Sequence, residues 1–201
     1  MNRTAVTVCL ASLFPAAALA QKPAAFVPGT YEIDPAHSKI GFEVDHLVIS
    51  SVDGRFGAFK GTITLGDALT SSKVEAYIDT ASIETGVKDR DEHLRSADFF
   101  DAKAFPVITF KSKKVTGTHK GFRIVGDLTL KGVTKEVTLD TKDLGTVKDA
   151  YGNTKAAFDA KTSIDRKAFG LMWNKAVEAG PVVGDEVVIT LKLQAAKKDK
   201  T

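Results

Sequence analysis

From residue 30 onward apolar and polar positions alternate with a period of two. Ile40, Phe42 and Val44 flank Glu43 and stop before Asp45, while Phe59, Gly61, Ile63 and Leu65 interleave with Lys60, Thr62 and Thr64. Val74, Ala76 and Ile78 share a face, as do Ile108 and Phe110, and then Phe122, Ile124, Gly126, Leu128 and Leu130. Val137 and Leu139 follow the turn around Gly132. Ala156, Phe158, Ala160, Thr162 and Ile164 form the next run, and Val187, Ile189, Leu191 and Leu193 form the last. One apolar face and one charged face mark antiparallel strands wetted on one side. With the short "TYEID" this predicts eight to nine strands, separated by turns at Asp53-Gly54, Leu65-Gly66-Asp67, Thr118–Gly121, Lys131-Gly132 and Tyr151-Gly152-Asn153.

Strands this long and this regular predict an all-β fold: a closed antiparallel β-barrel of about eight strands with a short helical cap. The apolar face is placed inside. Lys73, Glu75 and Asp79 sit at mid-strand on the other face, where lipid would penalise basic groups by about 2–4 kcal/mol each. Sixteen aromatics in 201 residues, with no paired girdles, also argue against an outer-membrane barrel. The inward faces mix large and small residues, which suits either a tapered solid core or a hollow lined with Phe, Ile, Leu and Val.

Two segments break the alternation. "VDHLVISSVDGRFG" after the first long strand reads as an irregular or helical crossing. Its Leu47, Val48, Ile49, Val52 and Phe56 would cap one barrel end, with His46 at its start and Arg55 at the surface. "DRDEHLRSADFFDAKAFP" reads as a short helix capped by Asp89 with Glu92 in its first turn, followed by a turn ending at Pro106. Leu94, Phe99, Phe100 and Phe105 are its downward face. A third irregular stretch, 165–187, holds the only Trp, Trp173, beside Phe169, Leu171 and Met172 among several glycines; it is either a plug of the core or a gate.

The amino terminus adds a compartment. Arg3, an apolar stretch and Ala18-Leu19-Ala20 make residues 1–20 a cleavable signal peptide, so the expected location is the periplasm. Residues 21–29 are then an N-terminal extension, 30–195 the barrel and 196–201 a disordered charged tail. Loss of Arg3 lowers the net charge from +3 to +2, and the single cysteine, Cys9, leaves with it. The mature chain therefore has no disulfide, and its dispersed charge offers no nucleic-acid footprint.

Reaction chemistry is sparse. There is no nucleophile elbow, phosphate loop or zincin helix. His37 with Asp34 and Ser38 reads as local turn capping, because a short turn cannot aim three side chains at one point; His119 reads as surface. Asp89 and His93 have the i,i+4 spacing seen in metal sites but lack a third ligand, so no metal and no cofactor are expected. An alternative reading is a small acid–base enzyme using His93, His46 and Asp91 at the barrel mouth.

The motifs "YEIDPAHSKIGFEVDHL", "DEHLRSADFFDAKAFPVITFKS", "GDLTLKGVTKEVTLD", "IDRKAFGLMWN" and "VGDEVVITLKL" occur in this order over residues 30–194. In them the chain resembles the YceI-like family of polyisoprenoid-binding periplasmic proteins. That resemblance implies an eight-stranded lipocalin-like β-barrel and a binding protein rather than an enzyme, with a long lipid (polyisoprenoid, isoprenoid quinone or fatty amide) inside the barrel. Laid over the alternation, it suggests contacts from Phe42, Phe59, Phe110, Phe122 and Phe158 on strands, and from His46, His93, Leu94, Phe99, Phe100, Phe169 and Trp173 at the mouth. No membrane-spanning segment is implied, and a homodimer stays open.

Overall fold

A computed structural model describes residues 26–119, 121–177 and 180–198. The signal-peptide reading lies outside these residues. Eight strands form the barrel. They are β1 (Gly29–Ile33 and Lys39–His46), β2 (Ser50–Phe56 and Phe59–Leu65), β3 (Lys73–Asp79 and Ile83–Glu84), β4 (Val107–Thr118), β5 (Gly121–Leu130), β6 (Val133–Lys148), β7 (Thr154–Asp165) and β8 (Val183–Lys197). Each pairs antiparallel with the next, and β8 closes on β1 through Leu191 opposite Ile40 and Lys197 opposite Tyr31. Closure leaves no free edge. The strand β8 runs through Lys197, two residues into the stretch read as a tail.

The first three strands are each broken once. In β1 a single 3-10 turn, Pro35–His37, is capped by Asp34, whose carboxylate accepts the Ala36 amide at 3.1 Å. Ser38 then bridges the gap in the ladder: its hydroxyl accepts from the Gln194 amide at 2.9 Å and donates to the Gln194 carbonyl at 3.1 Å. The Asp34, His37 and Ser38 cluster is thus backbone carpentry, as expected. In β3 the turn Thr80–Ser82 is capped by Asp79 in the same manner.

The segment read as an irregular crossing is instead a β1–β2 hairpin, with Ile40 opposite Phe56, Phe42 opposite Gly54 and His46 opposite Ser50. Asp53-Gly54 is not a turn. Gly54 lies mid-strand because the Phe42 ring packs where a side chain would stand. The real turn uses Leu47 and Val48 at positive φ (53° and 66°), held by the Leu47 amide donating to the Val182 carbonyl. Val48 and Ile49 project into solvent at its tip rather than capping the barrel.

Apolar faces point inward, while the outer faces carry ion pairs such as Lys111–Glu75 and Lys113 with Asp127 and Glu136. One end is sealed. Tyr31 and Ala195 are fully buried there, with Ala156, Ile63 and Leu65, and the Tyr31 hydroxyl donates to the Val27 carbonyl. Burial, and then the nearby Asp143 carboxylate, raises the Tyr31 phenol pKa. His119 is exposed, as expected, with its ring tilted against Phe26 at 4.7 Å between centroids beside this seal.

The other end carries the cap. Helix α1 (Lys88–Arg95) lies across it, followed by turns to Pro106. Asp89 does not cap α1: the N-cap is Val87, with no side-chain bond. Asp91 does the related work from within the helix. It is buried and accepts the Thr85 amide (2.8 Å) and hydroxyl (2.6 Å), tying the end of β3 to the helix.

Candidate functional site

The barrel is hollow. Its interior holds a cavity of about 200 Å³, measured as the space open to the centre of a water molecule. One water needs about 10–15 Å³ on that scale. The wall is almost wholly aliphatic and aromatic. It draws on β1 to β8, on Leu94, Phe99 and Phe100 from the cap region, and on Leu171 from the loop after β7.

The free surface of the cavity is uneven, with partly buried Val74 and Ala76 on β3 and Val137 on β6 adding to a larger stretch on β8. On β5 the inward side chains Phe122, Ile124, Leu128 and Leu130 are buried. On β8 the inward Val187, Ile189, Leu191 and Leu193 are only partly buried although they line the same cavity. The β5 side is packed core, and β8 with Phe42 and Val44 of β1 offers open apolar wall.

Of the side chains expected to contact a ligand, Phe42, Leu94, Phe99, Phe100, Phe110, Phe122 and Phe158 stand on this wall. The rings of Phe42, Phe56 and Phe100 follow one another at 6.0 and 5.9 Å, leading from the strands to the cap. His46, Phe59, His93, Phe169 and Trp173 do not reach the cavity. Phe59 and Trp173 pack against the core from outside it, and Phe169 is buried in the loop after β7. His46 is the last residue of β1, in the ladder at the hairpin end.

His93 has a different place from the one expected. Its ring meets Phe99 at 5.0 Å and Trp173 at 4.9 Å, both edge-on, and its Nε2 bonds Asp98 at 3.0 Å. This aromatic seam joins the cap to the loop after β7. Asp91 is engaged by Thr85, and His46 lies in the strand ladder, so the acid–base trio is not assembled as one site. The described residues contain no group of three or more His, Cys, Asp or Glu placed to hold a metal.

The functional residue missing from the sequence reading is Arg166. It is 2% exposed and reaches the cavity wall at the capped end. Its Nε donates to the Gly184 carbonyl (2.7 Å), Nη1 to Leu171 (2.5 Å) and Trp173 (2.9 Å), and Nη2 to Val183 and the Asp185 carboxylate (both 3.3 Å). Asn174 adds to the stitching: its Oδ1 accepts the amides of Lys175, Val182 and Val183. The loop after β7 is therefore locked to the start of β8. Nothing in "IDRKAFG" marks an arginine as inward; only its place between a strand and an apolar loop hints at it.

Charge tunes this lock. A hydrogen bond from Lys167, then the charges of Lys167 and Arg166, hold the Asp185 carboxyl below the usual carboxylate range, and burial lowers the Arg166 pKa. A depressed carboxylate pKa contributes stability above the unfolded pKa and loses it as pH falls through the folded one. Asp185→Asn should therefore lower Tm slightly at pH 7, with the gap to the parent closing as pH falls below the ordinary carboxylate range of about 4. A gap independent of pH would rule out the ionic contribution.

The comparisons with known proteins point one way. Protein YceI of Escherichia coli is 36% identical over 175 residues, covering 86% of this chain and 89% of that protein. The crystal structure of Burkholderia cenocepacia BcnA superposes with a TM-score of 0.70 at 26% identity, covering 81% of this chain and 98% of that one. A domain from Saccharophagus degradans, described as polyisoprenoid-binding and implicated in plant cell wall breakdown, superposes at 0.60 with 19% identity, over 84% and 98%. The profile of the YceI-like domain matches residues 31–195, and the chain belongs to the YceI-like family.

Proposed function

We propose that this protein is an exported carrier that sequesters one long apolar lipid, a polyisoprenoid, isoprenoid quinone or fatty amide, inside the barrel. The observation that carries the reading is an apolar cavity with open wall along β8 and β1 beneath a locked cap. A long, thin apolar ligand fits such a space better than a sugar or nucleotide, whose many polar groups would go unpaired there. Burial of the tail supplies affinity at about 25 cal/mol per Å², less the cost of ordering it. The polyisoprenoid-binding description of the Saccharophagus relative supports the ligand class, and the leader read at residues 1–20 supports the periplasm.

The direct test is native mass spectrometry of protein purified from the periplasm, followed by solvent extraction. An added mass at near one-to-one stoichiometry, recovered as an isoprenoid, quinone or fatty amide, is the expected result. The same spectrum reports monomer or homodimer. A clean apo mass, with no uptake of added polyisoprenol, quinone or fatty amide, would overturn the carrier reading.

A further inference from the structure

Among the described residues the most exposed large apolar side chains are Val48, Ile49, Met172 and Tyr151. Tyr151 stands in the turn between β6 and β7 and carries a hydroxyl that water satisfies. The other three share the capped end. Val48 and Ile49 form the tip of the β1–β2 hairpin, 67% and 87% exposed, and Met172 lies in the loop after β7. Hairpin and loop are joined. The Leu47 amide donates to the Val182 carbonyl and the Val182 amide to the Lys175 carbonyl, both at 3.0 Å. Val48 Cγ2 lies 3.6 Å from where a Cβ on Gly180 would stand.

The tip is built against local preference. A two-residue turn with both φ positive is the place for Asn-Gly, yet here it holds Leu47 and Val48 at 53° and 66°. A β-branched residue is strained there, and the fold does not bury Val48. The segment also carries no charge. From His46 to Val52 there is no Asp, Glu, Lys or Arg, in a chain that is 26% charged. Carboxylates resume behind it, at Asp45 and then at Asp53 opposite Glu43, all exposed. Asp45 stands two residues, about 7 Å, behind the turn.

An uncharged, convex, aliphatic tip of that depth suits the boundary between lipid head groups and acyl chains, which interfacial anchors enter by about 5–10 Å. A protein partner would have to offer a fitted pocket, and anchors of protein interfaces are mostly Trp, Tyr and Arg, which the tip lacks. Position gives the contact a purpose. Val44 and Val183 line the cavity just behind the tip, where Val183 pairs with His46. A lipid leaving a bilayer here reaches the apolar wall of β1 and β8 within a few residues.

Resting on the carrier reading for its purpose, we propose that Val48, Ile49 and Met172 form a membrane-docking tip that seats the capped end of the barrel on a lipid bilayer. So few side chains make a weak, reversible anchor, below the roughly 10⁴ M⁻¹ of a single myristoyl chain. With carboxylates behind the tip the attraction is apolar, so neither anionic lipid nor low salt strengthens it. The test is co-sedimentation of the protein purified from the periplasm with sucrose-loaded phosphatidylcholine vesicles, with and without phosphatidylglycerol, at low and high salt. The parent should partition at millimolar lipid, equally under all these conditions. Val48→Asp/Ile49→Asp should lose at least about tenfold with Tm held. Val48→Gly, which relaxes the positive φ, should lose severalfold while its Tm is no lower than the parent's. A parent that stays in the supernatant, or aspartates that sediment as well as the parent, overturns the docking tip. So does a parent dimer in analytical ultracentrifugation that the aspartates dissociate, since a second copy would then cover the tip. A lipid-loaded native mass without vesicle binding removes the tip and keeps the carrier; vesicle binding with a clean apo mass does the reverse.

Discussion

Arg166→Ala is expected to lower the free energy of unfolding by about 3–5 kcal/mol, the usual result of removing one partner from a buried charged network. The alanine leaves the carbonyls of Gly184, Leu171, Trp173 and Val183 and one oxygen of Asp185 without the donors that now satisfy them. Each buried acceptor left unpaired costs about 1–3 kcal/mol, reduced wherever water enters from the loop surface. Arg166→Lys should recover little, because one ammonium cannot reproduce a planar fork serving five acceptors. Urea denaturation of the parent and both variants measures this directly. A loss under 1 kcal/mol for the alanine variant would mean that the loop after β7 is held by Asn174 and the aromatic seam instead.

The same contacts assign the loop its role. Phe169, Leu171 and Trp173 follow Arg166 within seven residues, and the guanidinium holds the backbone of two of them. Trp173 meets His93 and Phe99 across the seam, so the cap region and the loop close the same end together. The sequence left plug and gate open; the bonding pattern is that of a plug with a single cationic fastener.

The barrel was legible wherever burial imposes a period of two. β4 to β8 could be read from Ile108, Ile124, Val137, Phe158 and Ile189 and their neighbours alone. The hairpin between β1 and β2 was not, for two physical reasons. Its tight turn is made by Leu47 and Val48, residues that carry no turn signal, and its one glycine signal, Gly54, marks a ring packed on a strand. In the cap, an acid near the helix start was expected to bond forward, whereas Asp91 reaches back to Thr85. Alternation identifies the inward face, which is why Phe42, Phe110, Phe122 and Phe158 were found. It does not say which inward residues meet open space. That depends on packing across the barrel, and it separates Phe59 from Leu191.

Leu191→Trp is expected to lower isoprenoid affinity by tenfold or more while the barrel stays folded. Leu191 faces the cavity from β8, opposite Ile40 on β1 and Ala160 on β7, and is only partly buried, so the added ring enters existing space. Overpacking a filled core costs about 1–3 kcal/mol, and filling a void costs less. The contrast is with Phe110→Asp. Phe110 is 8% exposed on the packed side, its ring tip about 2.5 Å from where a Cβ on Gly126 would stand. A carboxylate there has no cation, so that variant should lose several kcal/mol of stability together with binding. Circular dichroism melts alongside tritiated geranylgeraniol titrations separate the two. A Leu191→Trp protein that binds as tightly as the parent would move the ligand off the β8 wall. One that fails to fold would mean the space beside β8 is smaller than the cavity dimensions require. Loss of binding with the fold retained would place the lipid along β8.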